Sequence, residues 1–375
     1  MSIGEPSSYP RRILLSVTGL TPQVVTETLY ALIQAESAFV PTEVHLITTR
    51  EGAERARLAL LSEDPGWFRR FCKDFRLPEI ALDETRIRVL TDGRGEHLDD
   101  IRTPEDNQRA ADLITETVRE LTSDPGTALH VSIAGGRKTM GYYLGYALAL
   151  YGRPQDRLSH VLVSEPFESS WDFFYPTPYE RVIQTRDQKL ANAADARVTL
   201  AEIPFVSLRQ GLPKRLLSGA TSFTGAVASA RRAQAPPRLT MDLAKTRAWA
   251  DDEPLDLGQT EFVTLLWFAE RARGEDAEID WTRDDAAREF LETAKRVINP
   301  ASGSFERLEK AFQGRWGHGD LLGDYFEPQK TRVNQTLGDA LGERAAQRYQ
   351  IRRAGRRGAS RYYLPLSAEQ IEIRD

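Results

Sequence analysis

The chain has 375 residues, 41% of them apolar and 28% charged, with 50 Lys+Arg against 55 Asp+Glu for a net charge of −5. At about 150 residues per domain, this length predicts two or three domains with packed cores. The acidic balance excludes a protein that coats nucleic acid along its whole length. The single cysteine, Cys72, excludes an intrachain disulfide framework and a thiolate zinc cage. His45, His97, His130, His160 and His318 show no metal-ligand spacing, so neither metal nor other cofactor is expected. The N-terminus lacks a basic-then-apolar signal pattern, and no apolar run approaches the roughly 18 residues of a membrane helix. A soluble, cytoplasmic protein without membrane contact is expected.

Ile13–Val17 is a short apolar run of the kind that forms a buried parallel strand, and it breaks at Thr18-Gly19. Thr21 and Pro22 read as N-cap and first position of a helix that Val25, Leu29, Leu32 and Ile33 continue. The cycle then repeats. Val44–Thr48 is strand-like and Glu51–Leu61 helical; Ile87–Leu90 is strand-like and Pro104–Leu121 helical. Leu129–Ile133, broken by Ala134-Gly135-Gly136, precedes a helix over Thr139–Leu150 and a strand over Ser159–Val163. Strands alternating with helices predict an α/β domain with a doubly wound, mostly parallel, Rossmann-like sheet.

From about Glu165 the rhythm changes. Trp171–Tyr179 is aromatic and Pro-rich, Val198–Leu208 reads as one more strand, and a polar helix follows Gln210–Lys214 and ends near Arg232. Ala233-Gln-Ala-Pro-Pro237 marks a boundary, which divides the chain into a domain over 1–209, a connecting segment over 210–237 and a domain over 238–375. In the last part Phe262, Leu265, Leu266 and Ala269 form one helix stripe, and Phe290, Leu291, Ala294, Val297 and Ile298 a second. Val333, Leu337 and Leu341 form a third, started by Pro328. Tyr349–Arg353 and Arg361–Leu366 then read as two strands. Three helices and a hairpin outline a winged helix-turn-helix-like domain.

Two strand–loop–helix junctions carry the sharpest chemical signal. One is Leu15-Ser16-Val17-Thr18-Gly19-Leu20-Thr21-Pro22-Gln23; the other is Val131-Ser132-Ile133-Ala134-Gly135-Gly136-Arg137-Lys138-Thr139. Free backbone N–H groups at such a junction, with the helix dipole, make an anion site. In the usual doubly wound order the first and fourth strands are neighbours at the switch point, so both loops are expected to line one crevice. Arg137 and Lys138 would add cationic donors to a phosphate there. Gly136-Arg137-Lys138-Thr139 lacks the distant glycine of a P-loop, and neither loop is G-x-G-x-x-G.

The stretches Ile13–Tyr30 and Ser132–Gly141 resemble CRISPR-associated Rossmann-fold (CARF) proteins, with the closest likeness to the CRISPR-associated ring nucleases. The resemblance covers about Arg12–Leu208 and weakens after Pro236. It implies a homodimer that binds a cyclic oligoadenylate messenger, cyclic tetra-adenylate above all, across its two-fold axis. It also implies metal-independent cleavage to linear di-adenylate with a 2′,3′-cyclic phosphate, which switches off antiviral signalling. The family's strand-end serine corresponds to Ser16 and its glycine-loop lysine to Lys138; with Arg137 these are the expected catalytic residues. Ser16 would position ribose or phosphate rather than act as a nucleophile. Thr18, Gly19, Thr21, Pro22, Gln23, Ala134, Gly135, Gly136 and Thr139 would line the ligand site.

Three arginines are further pocket candidates: Arg50, at the end of the second strand, and Arg94 and Arg102, on a polar Asp92–Thr103 segment that could form a lid. Trp171, Phe173, Phe174 and Tyr175 could stack adenine, or be buried in the core or a dimer interface. A HEPN-type ribonuclease motif is disfavoured, because its Arg–His spacing recurs only at Arg153…His160, inside the Rossmann part. Seven arginines and no acidic residue between Arg344 and Tyr363 give a local charge of +7. That keeps open a transcription regulator gated by the messenger and touching DNA through Arg352, Arg353, Arg356 and Arg357.

Overall fold

The computed structural model describes residues 5–168, 170–219, 222–232, 236–355 and 360–375. The chain divides into two compact units. One runs to Arg209 and adds Ala220–Ala226; the other comprises Gln210–Gly219 and Val227–Asp375.

The first unit runs β1 (Arg11–Val17), α1 (Gln23–Gln34), β2 (Glu43–Thr48), α2 (Arg50–Ala56), α3 (Trp67–Asp74), β3 (Ile87–Val89), α4 (Pro104–Leu121), β4 (Thr127–Ser132), α5 (Lys138–Tyr151) and β5 (Arg157–Val163). It ends with a small hairpin, β6 (Val182–Gln184) and β7 (Leu190–Asn192), and with β8 (Val198–Glu202). Six strands form one sheet in the order β3-β2-β1-β4-β5-β8, parallel except for β8, which runs antiparallel to β5. The expected doubly wound α/β sheet is therefore present. Ile13, Leu14, Leu15 and Val17 are wholly buried, as β1 requires with a helix layer on each face of the sheet.

Local chemistry sets the boundaries. Thr103 accepts the Asp106 N–H while the Asp106 carboxylate accepts the Thr103 N–H, a capping box that starts α4 at Pro104. The first helix begins at Gln23, with Pro22 rather than Thr21 in the capping position. Pro22 already has helical backbone angles, φ −68° and ψ −10°, and lacks the hydroxyl by which a threonine cap would bond. The Glu51–Leu61 pattern splits into α2 and a wider π-type turn over Arg57–Leu61.

Phe173 and Tyr175 are fully buried and Phe174 nearly so, in clusters with Trp67, Phe71 and Phe167. These three rings are core; only Trp171, 59% exposed, remains available to a ligand. Arg153 is a buried anchor, bonded through Nε and Nη2 to the Asp156 carboxylate at 2.9 Å each.

The second unit begins with α6 (Lys214–Ser218); α7 (Phe223–Arg232) ends in it. Next come β9 (Leu239–Asp242), β10 (Arg247–Ala250) and β11 (Glu253–Leu255). Then follow α8 (Gln259–Arg273), α9 (Asp284–Lys295), α10 (Gly303–Phe312), α11 (Gly319–Leu341) and α12 (Glu343–Ala346), the hairpin β12 (Arg352–Ala354) and β13 (Arg361–Tyr363), and β14 (Ile371–Arg374). The sequence reading missed a four-stranded sheet, β11-β10-β9-β14, in which the last strand pairs parallel to β9. Its strands are only three or four residues long, too short for a periodic signal.

Pro328 does not start a helix: it lies inside the 23-residue α11. Leu322 and Phe326, fully buried before the proline, continue the apolar stripe of Val333 and Leu337. That packing outweighs the hydrogen bond a proline removes. The hairpin is shorter than its two sequence runs, and Arg356 and Arg357 lie outside the described residues.

Candidate functional site

β1 and β4 are direct neighbours, with Ser16 opposite Ser132, so the loops that follow them leave the sheet side by side. Past β1, the Thr18 N–H still donates to the Ile47 carbonyl at 3.0 Å, and Thr48 Oγ1 donates to the Thr18 carbonyl at 2.8 Å. Past β4, the Ile133 N–H donates to the Ser159 carbonyl at 3.0 Å. Both chains then turn sharply into α1 and α5.

Glycine is needed where the loops meet. A Cβ on Gly135 would lie 2.6 Å from the Val17 carbonyl oxygen and 2.9 Å from Val24 Cγ2. Gly136 has φ +75°, a conformation that costs an L side chain about 1–2 kcal/mol. Gly19 packs beside Gly136 at ordinary contact distance, where a Cβ would sit 3.6 Å from Gly136 Cα, so Gly19 itself is not required to be glycine. Among the described residues no protein acceptor takes the N–H groups of Gly135, Gly136, Arg137, Lys138 or Thr139. These donors sit at the N-terminus of α5, where the helix dipole favours an anion.

Two cavities flank the paired loops. The smaller, about 230 Å³, is lined by Thr18, Gly19 and Leu20 of the first loop and by Gly136, Arg137 and Met140 of the second. Thr49, Glu51, Asp99 and Asp100 complete it. The larger, about 440 Å³, lies on the β5 side. There Thr21, Gln23, Val24 and Glu27 of the first junction face Ala134, His160, Leu162, Glu168, Ser170, Trp171 and Arg186. Both junctions thus contribute to both cavities.

Arg137 is not a free cation. Its Nε donates to Asp100 Oδ1 at 2.9 Å and its Nη2 to Oδ2. The guanidinium, with the Ile101 N–H, holds the Asp100 carboxyl below its usual range. Arg50, at the first turn of α2, likewise pairs with Asp99. The Asp92–Thr103 segment is tied down rather than lid-like: Leu98 N–H donates to Leu90 O, and Arg50 N–H to Leu98 O, both at 2.8 Å. It presents Asp99 and Asp100 to the smaller cavity, whereas Arg94 and Arg102 are exposed and line neither cavity. Arg94 sits in a turn whose backbone N–H groups are held by Asp92 Oδ1, and Arg102 Nε is 3.9 Å from Asp100.

Lys138 and Thr139 are exposed on the first turn of α5. Ser16 is fully buried and lines neither cavity; its register partner Ser132 bonds Thr28 of α1 at 3.1 Å, which places the pair beneath that helix. Thr18 Oγ1 is buried without a partner among the described residues.

The residues that sequence reasoning missed are Asp99 and Asp100, as partners of the arginines, and the buried Glu27. Burial first, and the nearby Glu168 second, push the Glu27 carboxyl up to about 8. The available signal was spacing: Gln23 and Glu27 are four apart on one face of α1, off the Val25–Leu29–Leu32 stripe.

No group of three or more His, Cys, Asp or Glu among the described residues could hold a metal ion, and no described helix is long and apolar enough to cross a membrane. The chain is similar over 88% of its length to a solved structure, Enterococcus italicus Csm6 bound to cyclic hexa-2'-fluoro-hexa-dAMP, at 12% identity and a TM-score of 0.26. It spans 57% of that chain. A search of curated protein sequences finds no significant match. The profile of the family described as CRISPR-associated protein NE0113 matches residues 21–236, more than half of the sequence; the match takes in the Ala134–Thr139 loop and begins just after Thr18-Gly19-Leu20. The chain belongs to this CRISPR-associated family.

Proposed function

We propose that the paired loops bind a cyclic oligoadenylate, cyclic tetra-adenylate above all, and that the protein cleaves it without metal to linear di-adenylate with a 2′,3′-cyclic phosphate. The observation that carries this reading is the backbone approach of Gly19 to Gly136, which brings the unsatisfied amides of the α5 junction beside the first loop. Membership of a CRISPR-associated family supports it. In the reaction a ribose 2′-oxygen attacks the adjacent phosphorus and loses its proton to solvent, while the P–O5′ bond breaks and the leaving oxygen takes a proton. The enzyme's main task is to hold the in-line geometry. In this reading Lys138, exposed on the first turn of α5, stabilises charge on the phosphoryl and leaving oxygens, and the loop amides hold the phosphate. Arg137 joins them when phosphate displaces Asp100. Ser16, beneath α1, acts as a positioning residue for the first loop.

A two-fold ring suits a homodimer in which each copy supplies both loops. Leu20, Leu162 and Trp171, exposed around the two cavities, are apolar surface that a second copy would cover. Incubating the pure protein with cyclic tetra-adenylate and EDTA, with chromatography of the products, tests the enzyme reading. A ring that is bound tightly but stays intact would leave a sensor.

A second reading, a messenger-gated regulator of winged-helix type, draws on the arginine-bearing β12–β13 hairpin. Arg352 and Arg353 are exposed there, although each already bonds protein, to the Gln347 carbonyl and to Ser360 Oγ. A gel shift at stated salt, on the wild type and an R356A/R357A variant, tests DNA contact.

A further inference from the structure

The larger cavity holds chemistry that phosphate binding does not use. We infer that it is a purine-base receptor, in which the carboxyl of Glu27 and the free amide oxygen of Gln23 read the N1/N6 edge of an adenine. This deepens the messenger reading and rests on it for the identity of the natural ligand.

Gln23 and Glu27 lie one helical turn apart and face the same space. Gln23 is 6% exposed and Glu27 8%. Gln23 Nε2 donates to the Trp171 carbonyl at 2.9 Å, which fixes the amide's orientation, since its oxygen could not bond there. Among the described residues Gln23 Oε1 is left buried without a partner. The Glu27 carboxyl has no hydrogen-bond or ionic partner among the described residues, although it lines a cavity. A buried amide oxygen without a partner among the described residues, beside a cavity-lining carboxyl that also has none, marks a place for a ligand to supply them. At about 440 Å³ the space falls in the range of small-molecule sites. Val24, Ala134 and Leu162 give it apolar walls, and the exposed Trp171 at its edge offers a face for stacking.

Proton placement selects the base. Adenine presents an acceptor at N1 beside a donor at N6, which a neutral carboxyl matches with its own O–H and C=O. Guanine presents two donors, N1–H and N2–H, which call for an ionised carboxylate. Burial and Glu168 keep Glu27 neutral at pH 7. The other charged or titratable groups lining the cavity are His160 from β5 and Arg186 from the β6–β7 hairpin, and neither pairs with Glu27. Of the elements packed on α1, β8 and α3 contribute no lining residue. The second N6 hydrogen then has Gln23 Oε1 as its acceptor.

The test is isothermal titration of the full chain with cyclic tetra-adenylate, AMP and GMP from pH 6 to 9, on the wild type, Glu27→Gln and Glu27→Ala. The wild type should prefer AMP to GMP by about tenfold, the value of one good two-point base contact. Its affinity for AMP should fall toward tenfold per pH unit above about 8, as the neutral carboxyl is lost. Glu27→Gln, neutral throughout, should bind AMP within about threefold of the wild type and lose the pH dependence, whereas Glu27→Ala should bind about tenfold more weakly. Unaltered AMP affinity in Glu27→Ala, or a pH profile that Glu27→Gln retains, overturns the inference. AMP bound with the expected profile and the ring not bound sustains the receptor and removes the messenger reading. A ring bound and cut equally by Glu27→Ala removes the receptor and leaves that reading standing. Binding of neither AMP nor the ring removes both.

Discussion

Arg137 and Asp100 form a two-point ion pair at the wall of the smaller cavity, which links the α5 junction to the segment after β3. The Arg137 side chain is 60% exposed, and an ion pair so open to solvent contributes only about 0–1 kcal/mol, so a phosphate can displace the carboxylate. Asp100→Asn should therefore tighten binding of cyclic tetra-adenylate by about threefold to tenfold and steepen its salt dependence. Titration at two salt concentrations checks this. Unaltered affinity would mean that Arg137 never meets the phosphate.

Lys138→Ala should lower kcat for ring cleavage by about a hundredfold to a thousandfold with little change in KM, as expected for a charge used mainly in the transition state. The side chain is exposed, so the melting temperature should stay the same. Ser16→Ala differs: it removes a fully buried hydroxyl, so slower cleavage should come with a measurable change in stability. Single-turnover assays beside thermal melts separate the two roles.

Gly135→Ala should destabilise the first unit by about 1–3 kcal/mol, because its Cβ would meet the Val17 carbonyl, backbone that cannot swing aside. Ring binding should weaken in step, since relieving the clash parts the two loops. Chemical denaturation and titration of the same variant measure both effects.

Glu27 predicts a stability change of unusual sign for a carboxylate. Its pKa is raised from 4.5 to about 8, so across that window the folded chain keeps a proton that the unfolded chain has lost. Stability must fall as pH rises from about 4.5 to 8 and level off above, by about 5 kcal/mol. Glu27→Gln should abolish that slope and be the more stable protein at pH 8. Urea midpoints from pH 5 to 9 decide it.

His130 works at the acid end. Burial, and then Arg157, bring it down from 6.5 to about 3, and its Nε2 lies 2.7 Å from Ser159 Oγ. The unfolded chain takes up a proton that the folded chain refuses, so stability is lost as pH falls from about 6.5 toward 3. Denaturation of His130→Gln over that range should show a flatter slope.

The strands and helices around the crevice were legible because each is long and flanked by strong punctuation. Thr18-Gly19 and Ala134-Gly135-Gly136 end apolar runs, and the Thr103-Pro104 start of α4 follows from side chains adjacent in sequence. The second unit was less legible. The β9–β11 strands are short, and Pro328 looked like a helix start because no sequence rule weighs it against the burial of Leu322 and Phe326. The ion pairs of Arg50 and Arg137 were not legible for a related reason. Asp99 and Asp100 lie far from Arg50 and Arg137 in sequence, so their neutralising contacts exist only after the chain folds.

The sequence by itself determined the alternating α/β order, the two glycine-bearing junctions and the absence of a disulfide framework, because all of these depend on residue type and near-neighbour spacing. Tertiary structure alone decided that the junctions open onto two cavities rather than one crevice, and that Arg137 is held by Asp100. It also decided that Glu27 keeps its proton, because desolvation depends on what covers a side chain and not on its neighbours along the chain.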